Sequence, residues 1–195
     1  AEQAHELLVG GLLTFYHQLW LYRQYEAEYR PYNLEKPLWV LLGSSVNAVY
    51  TRDKERRSDV AEVVAFLCRF LQDRAWAIRV MERILSGNSG FEDESGNDLF
   101  EPHIKYLRGQ DANALYEGIC ADVFHGSGGL EVWEIKQADG ELGLRLSVAE
   151  GEDRYFGVIN IGDVSSFKKY LHKWLGLEVK EDNFSPSQFD LIHHP

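Results

Sequence analysis

The stretch Tyr155-Phe-Gly-Val-Ile-Asn-Ile-Gly-Asp163 decides how this chain is read. Val158, Ile159 and Ile161 suit a pleated, covered surface. Gly162 permits a sharp turn, and Asp163 is a good N-cap for the helix that the apolar spacing predicts over 164–175. Strand, tight turn and helix N-terminus together form the place where open α/β sheets hold ligands, and a helix N-terminus attracts anions. The stretch therefore predicts an internal sheet strand with a candidate phosphate or nucleic-acid contact at Gly162 and Asp163. The plainer alternative is a helix cap alone, because an Asp163 carboxylate repels phosphate.

Working outward, 130–135 and 141–148 flank Ala138-Asp139-Gly140, a hairpin signal. Gly176 ends the 164–175 helix, and 177–180 predicts a short strand. Far upstream, Lys36-Pro-Leu-Trp-Val-Leu-Leu42 reads as a strand covered on both faces, closed abruptly by Gly43. A helix is predicted over 3–29, with Leu8, Leu12, Phe15, Leu19 and Tyr22 as its apolar stripe. Others are expected from Asp59, with Val60, Val63, Val64, Leu67 and Leu71 facing inward, and around Ile78, Met81, Ile84 and Leu85. Asp111 starts one more, and the polar, glycine-rich 86–99 reads as a surface loop. Strands separated by helices imply an α/β fold with a mostly parallel sheet, to which the hairpin adds antiparallel strands. The expected organisation is a connector helix over 1–31, then one domain over 32–195 with a helical insertion at about 73–124.

The chain's 195 residues are 45% hydrophobic and 13% aromatic, enough for a packed core rather than a disordered tail. A net charge of −11 argues against a surface that grips nucleic acid everywhere, so any such contact must be local. Cys68 and Cys120 lie in apolar helical patterns and form no C-x-x-C pair, which fits a reducing cytoplasm. No apolar run reaches the length of a membrane span.

Several residues suggest chemistry. Gly43-Ser44-Ser45, followed by Arg52, offers backbone amides, hydroxyls and a cation to a phosphate; the alternative is a strand exit beside a solvated charged turn. Glu134-Ile-Lys136 has the spacing of a Mg²⁺-dependent nuclease half-site, but its nearest upstream acid, Asp122, falls on a helix end. His125 beside glycines reads as a loop histidine, and the adjacent His193 and His194 as tail residues. The phosphate-loop, dinucleotide-fold, zincin and nucleophile-elbow motifs are absent. An aromatic N-terminal helix carrying Leu12, Tyr16 and Trp20 also suits a non-enzymatic interaction module.

Three segments carry a family likeness: Tyr32-Asn-Leu-Glu-Lys-Pro-Leu-Trp-Val-Leu-Leu-Gly-Ser-Ser-Val46, Asp139-Gly-Glu-Leu-Gly-Leu-Arg145 and Phe156-Gly-Val-Ile-Asn-Ile-Gly-Asp163. In order and spacing they resemble the Res subunits of type III restriction endonucleases and related bacterial DEAD/DEAH-type superfamily 2 helicases, from about Tyr16 to about Phe189. The resemblance implies an incomplete second RecA-like domain. Its sheet would start at 36–42, and Gly43, Ser44, Ser45, Arg52, Gly162 and Asp163 would lie near the nucleic-acid backbone. It also implies ATP and Mg²⁺ bound elsewhere in the intact enzyme, and DNA, a first RecA-like domain and a modification subunit as partners. The phosphate loop and metal acid of that family belong to the first domain, so this chain by itself is expected to be inactive as an ATPase.

Overall fold

A computed structural model describes residues 2–43, 59–135, 140–149 and 155–182. The chain forms two compact units, one from Ala1–Leu41 with Asp73–Ile119, the other from Leu42–Gln72 with Cys120–His194. The calls on Ser44, Ser45, Arg52, Lys136, Asp139, His193 and His194 lie outside the described residues.

In the first unit, helix α1 (Glu2–Tyr29) packs on α3 (Arg74–Leu85). Its buried side is His5, Val9, Leu12, Leu13, His17 and Leu19. The expected stripe through Leu8, Phe15 and Tyr22 is therefore rotated, because two imidazoles take buried positions that residue type alone assigns to solvent. Gly10 makes room for Phe100, whose ring would lie 2.1 Å from a Cβ at that position. Asp73 caps α3 by accepting from the Trp76 amide at 3.0 Å. The expected 86–99 loop is organised by two carboxylates. Asp93 accepts from the Ser95 and Asn97 amides, and Asp98 from those of Ser89, Phe100 and Glu101.

The run 36–42 departs from expectation. Residues 34–43 form no helix, strand or turn. Within the first unit, the Leu34 amide donates to the Tyr29 carbonyl at 3.4 Å, and Trp39 stacks on Phe15 at 5.9 Å above Gly11. An apolar sequence gives a strand only where a neighbouring backbone supplies the hydrogen bonds. No backbone-to-backbone bond joins 35–43 to another described residue.

Among its described residues, the second unit has four strands: β1 (Gly126–Ile135), β2 (Glu141–Ala149), β3 (Gly157–Asn160) and β4 (Val179–Asp182). Their order is β3-β2-β1-β4. The β1–β2 and β2–β3 pairs are antiparallel and only the β1–β4 pair is parallel, so the described α/β sheet is mixed rather than mostly parallel as expected, because three consecutive strands pair with their sequence neighbours. The Asp-Gly signal correctly predicts the β1–β2 hairpin. By contrast, β3 is an edge strand among those described, not an internal one, and Val158 is 38% exposed. Its apolar character comes from one covered face, where Ile159 is buried.

Pairing Leu130 with Leu146, Val132 with Leu144 and Leu142 with Ile159 puts all six on one sheet face. Helix α2 (Asp59–Gln72) packs on β1 and meets the turn Leu171–Leu175 that extends α5 (Val164–Tyr170). Phe66, Phe70, Phe124 and Phe156 form a chain of ring contacts at 4.9–6.0 Å. Each fully buried Phe contributes about 1.5–3 kcal/mol by leaving water. Of the predicted inward face of α2 only Val64 and Leu67 are buried, Val60, Val63 and Leu71 being half-buried; the buried side instead takes in Ala61, Ala65, Phe66, Cys68 and Phe70.

Candidate functional site

The turn singled out by the sequence starts one residue past β3. Ile161 donates to the Gly140 carbonyl at 2.7 Å, which ties the turn to the hairpin end. Gly140 has φ +84°, and a Cβ there would lie 2.9 Å from the Ile161 carbonyl oxygen, so glycine is required. Asp163 Oδ1 accepts from the Ser166 amide at 3.0 Å and caps α5. Hydrogen bonds from Ser166 hold this exposed carboxyl below its ordinary range, so it is ionised at neutral pH. It holds the helix start in place but disfavours an anion directly above it. Gly162 is exposed.

Gly43 faces α2. A Cβ on Gly43 would come within 3.1 Å of Asp59 Cβ and 3.4 Å of its Oδ2. Of the two sets of proposed backbone-contacting residues, the described members thus each sit beside a carboxylate, Asp59 for Gly43 and Asp163 for Gly162.

Glu134 lies on the helix-covered face of the sheet and accepts a hydrogen bond from Lys168 of α5. Asp122 closes α4 (Ala112–Asp122), a helix, as expected. Among the described residues, no three His, Cys, Asp or Glu side chains converge to hold a metal. His125 has φ +52°, an uncommon conformation for a residue other than glycine, and leads directly into β1.

A cluster that the sequence reading missed lies on the opposite sheet face. Glu131 accepts from Trp133 Nε1 and Arg145 Nε, each at 3.0 Å, and from Lys180 Nζ at 2.5 Å. The Arg145 guanidinium stands 4.0 Å from the Trp133 ring centre, and Lys180 Nζ 5.4 Å from it. Desolvation pushes the Glu131 carboxyl up, but its three donors outweigh this and hold it below the usual range. Trp133 faces Gly143 across the ladder, and Glu131 faces Arg145. Alternation within β1 places Glu131 and Trp133 together. Adding Arg145 and Lys180 needs the register with β2 and β4, which no local signal specifies.

The interaction-module reading relied on Leu12, Tyr16 and Trp20. Leu12 is fully buried, and the Tyr16 hydroxyl would lie 2.4 Å from a Cβ on Gly118. Much of that stripe is therefore used within its own unit, although Trp20 remains 37% exposed. Among the described residues, no helix is long and apolar enough to cross a membrane. No protein-family model matches the chain, and neither does any curated protein or solved structure.

Proposed function

We propose that the chain is part of the second RecA-like domain of an ATP-dependent DNA helicase or translocase belonging to a restriction or phage-defence system. The observation that carries this reading is the ordered set of three segments, 32–46, 139–145 and 156–163, that resemble the type III restriction and DEAD/DEAH-type enzymes. The strand–helix–strand crossover from β3 through α5 to β4 and the parallel β1–β4 pair are compatible with this reading, in which β1 and β2 form a hairpin within the sheet.

Within that enzyme the chain contributes DNA-backbone contacts and closure over nucleotide. Asp163 keeps α5 in place while Gly162 presents backbone, and Ser44, Ser45 and Arg52 supply hydroxyls and positive charge. The chain carries no phosphate-loop motif, so in this reading the residues that hold ATP with Mg²⁺ and carry out hydrolysis lie in the first domain.

The test uses the gene product at its natural length. It is expected to show DNA-stimulated ATP hydrolysis, while the 195-residue chain alone shows none. Replacing Ser44 and Ser45 together by Asp should lower the DNA-stimulated rate by about tenfold or more, with the DNA-independent rate unchanged, because two anions would then face phosphate. A natural-length product without ATPase activity, or turnover by the purified 195-residue chain, overturns the proposal.

A further inference from the structure

His17 is buried in the first unit, and neither of its ring nitrogens has a hydrogen-bond partner among the described residues. A neutral imidazole tolerates this better than an imidazolium, whose two N–H groups both need acceptors. The positions one turn away on α1, Leu13, Thr14, Trp20 and Leu21, carry no charge. On the α4 side, Gly118 packs against Tyr16, and the adjoining Glu117 is paired with Arg74 at 2.8 Å. Helix α3 meets α1 about three turns away, where Trp76 lies against His5 and Arg83 pairs with Glu6 at 2.6 Å. The segment 101–110 carries His103, Lys105 and the Glu101–Arg108 ion pair. His103 bears on the imidazole through its charge and opposes protonation.

Tyr106 covers His17 on one side. Its ring stacks on the imidazole at 5.5 Å with 15° between the planes, and Trp20 leans on it at 5.6 Å. Unlike His17, Tyr106 is 50% exposed. Ile104 and Leu107 on either side of it are buried, and the Leu107 amide donates to the Ile104 carbonyl at 2.9 Å. The backbone is thus held at both ends, while the ring between them can turn towards water. Lys105 Nζ already lies 5.7 Å from the Tyr106 ring centre, so a proton on His17 would place a second cation against the same ring. A ring attracts a cation but offers no acceptor for its N–H groups, so water is the better partner for an imidazolium. We propose that Tyr106 is a pH-operated gate: when His17 takes up a proton, the Tyr106 ring swings outward and admits water to the imidazolium, while the backbone of 104–107 stays in place. The lowered pKa of His17, set first by burial and then by His103, fits a gate that is closed at neutral pH. The proposal does not rest on the motor reading, because it uses only contacts within the first unit.

The test is an NMR titration of the whole chain between about pH 8 and 5.5, a range that spans the ordinary histidine value. The His17 Cε1 proton reports protonation, and its nuclear Overhauser contact with the Tyr106 ring reports the gate. That contact should weaken in proportion to the protonated fraction, with the amides of 104–107 nearly unshifted. Tyr106→Ala removes the gate at a half-exposed position, so the variant is expected to fold, and its His17 should titrate higher, near the ordinary value. In His103→Gln the ring contact should still weaken as His17 protonates. A ring contact that persists on protonated His17, a response lost in His103→Gln, amides of 104–107 that melt together with the contact, or a His17 titration unchanged by Tyr106→Ala overturns the proposal.

Discussion

His17 shows how one side chain sets a pH limit. It is 4% exposed and stacked on Tyr106 at 5.5 Å, and neither ring nitrogen has a hydrogen-bond partner among the described residues. Desolvation, with a smaller contribution from the nearby His103, lowers its pKa. The unfolded chain then binds the proton more readily than the folded one, so stability falls as pH drops below the ordinary histidine value of about 6.5. Thermal unfolding should have a lower midpoint at pH 5.5 than at pH 7.5, and His17→Leu should reduce that difference. Gly10 supports a second prediction at this scale. Gly10→Ala should destabilise the first unit by about 1–3 kcal/mol, as overpacking against Phe100 does. Phe100→Leu should recover part of that loss in a double-mutant cycle read by denaturant unfolding. Neither effect was legible in the sequence. A histidine and a glycine in a helical pattern read as polar and weak positions, and only the packing of distant residues reveals their role.

At the scale of elements, β1 controls the second unit because it pairs with β2 on one side and β4 on the other. Glu131 links all three strands through Arg145 and Lys180. Glu131→Gln should cost about 1–3 kcal/mol, the usual range for losing hydrogen bonds to charged groups, measured by urea unfolding. Its carboxyl is held below the usual range, so the stability it contributes is present near neutral pH and is lost as pH falls through that lowered value. The start of β1 carries a bulge between Ser127 and Leu130, where Gly128 has φ +91° and Gly129 donates to Ser147 Oγ at 3.1 Å. A Cβ at Gly128 would lie 2.2 Å from that Oγ, so Gly128→Ala should lower the thermal midpoint through both strain and contact. Element types were largely legible: α1, the hairpin, the Asp163 cap and the Asp111 helix start all follow from local chemistry. Pairing was not. The run 36–42 and β3 have similar apolar sequences, yet only β3 has a described neighbour to bond with.

At the scale of the whole molecule, charge and connectivity matter most. With a net charge of −11, the chain alone should bind duplex DNA negligibly at physiological salt in a fluorescence anisotropy titration. The candidate contacts at Gly43 and Gly162 were proposed from local residues and from the family likeness together. The Asp163 carboxylate beside Gly162 is legible in the sequence, whereas Asp59 beside Gly43 is brought there only by the fold. The two units take alternate stretches of the polypeptide: Ala1–Leu41, then Leu42–Gln72, then Asp73–Ile119, then the remainder. Neither can be cloned as one uninterrupted reading frame, and no single proteolytic nick would release either intact. The order of synthesis adds a delay. Val132 of β1 waits for Val179 of β4, 47 residues later, before its parallel ladder can close. At ordinary ribosomal speeds that is roughly 2–9 s. For that interval the nascent chain holds its central strand with one edge open.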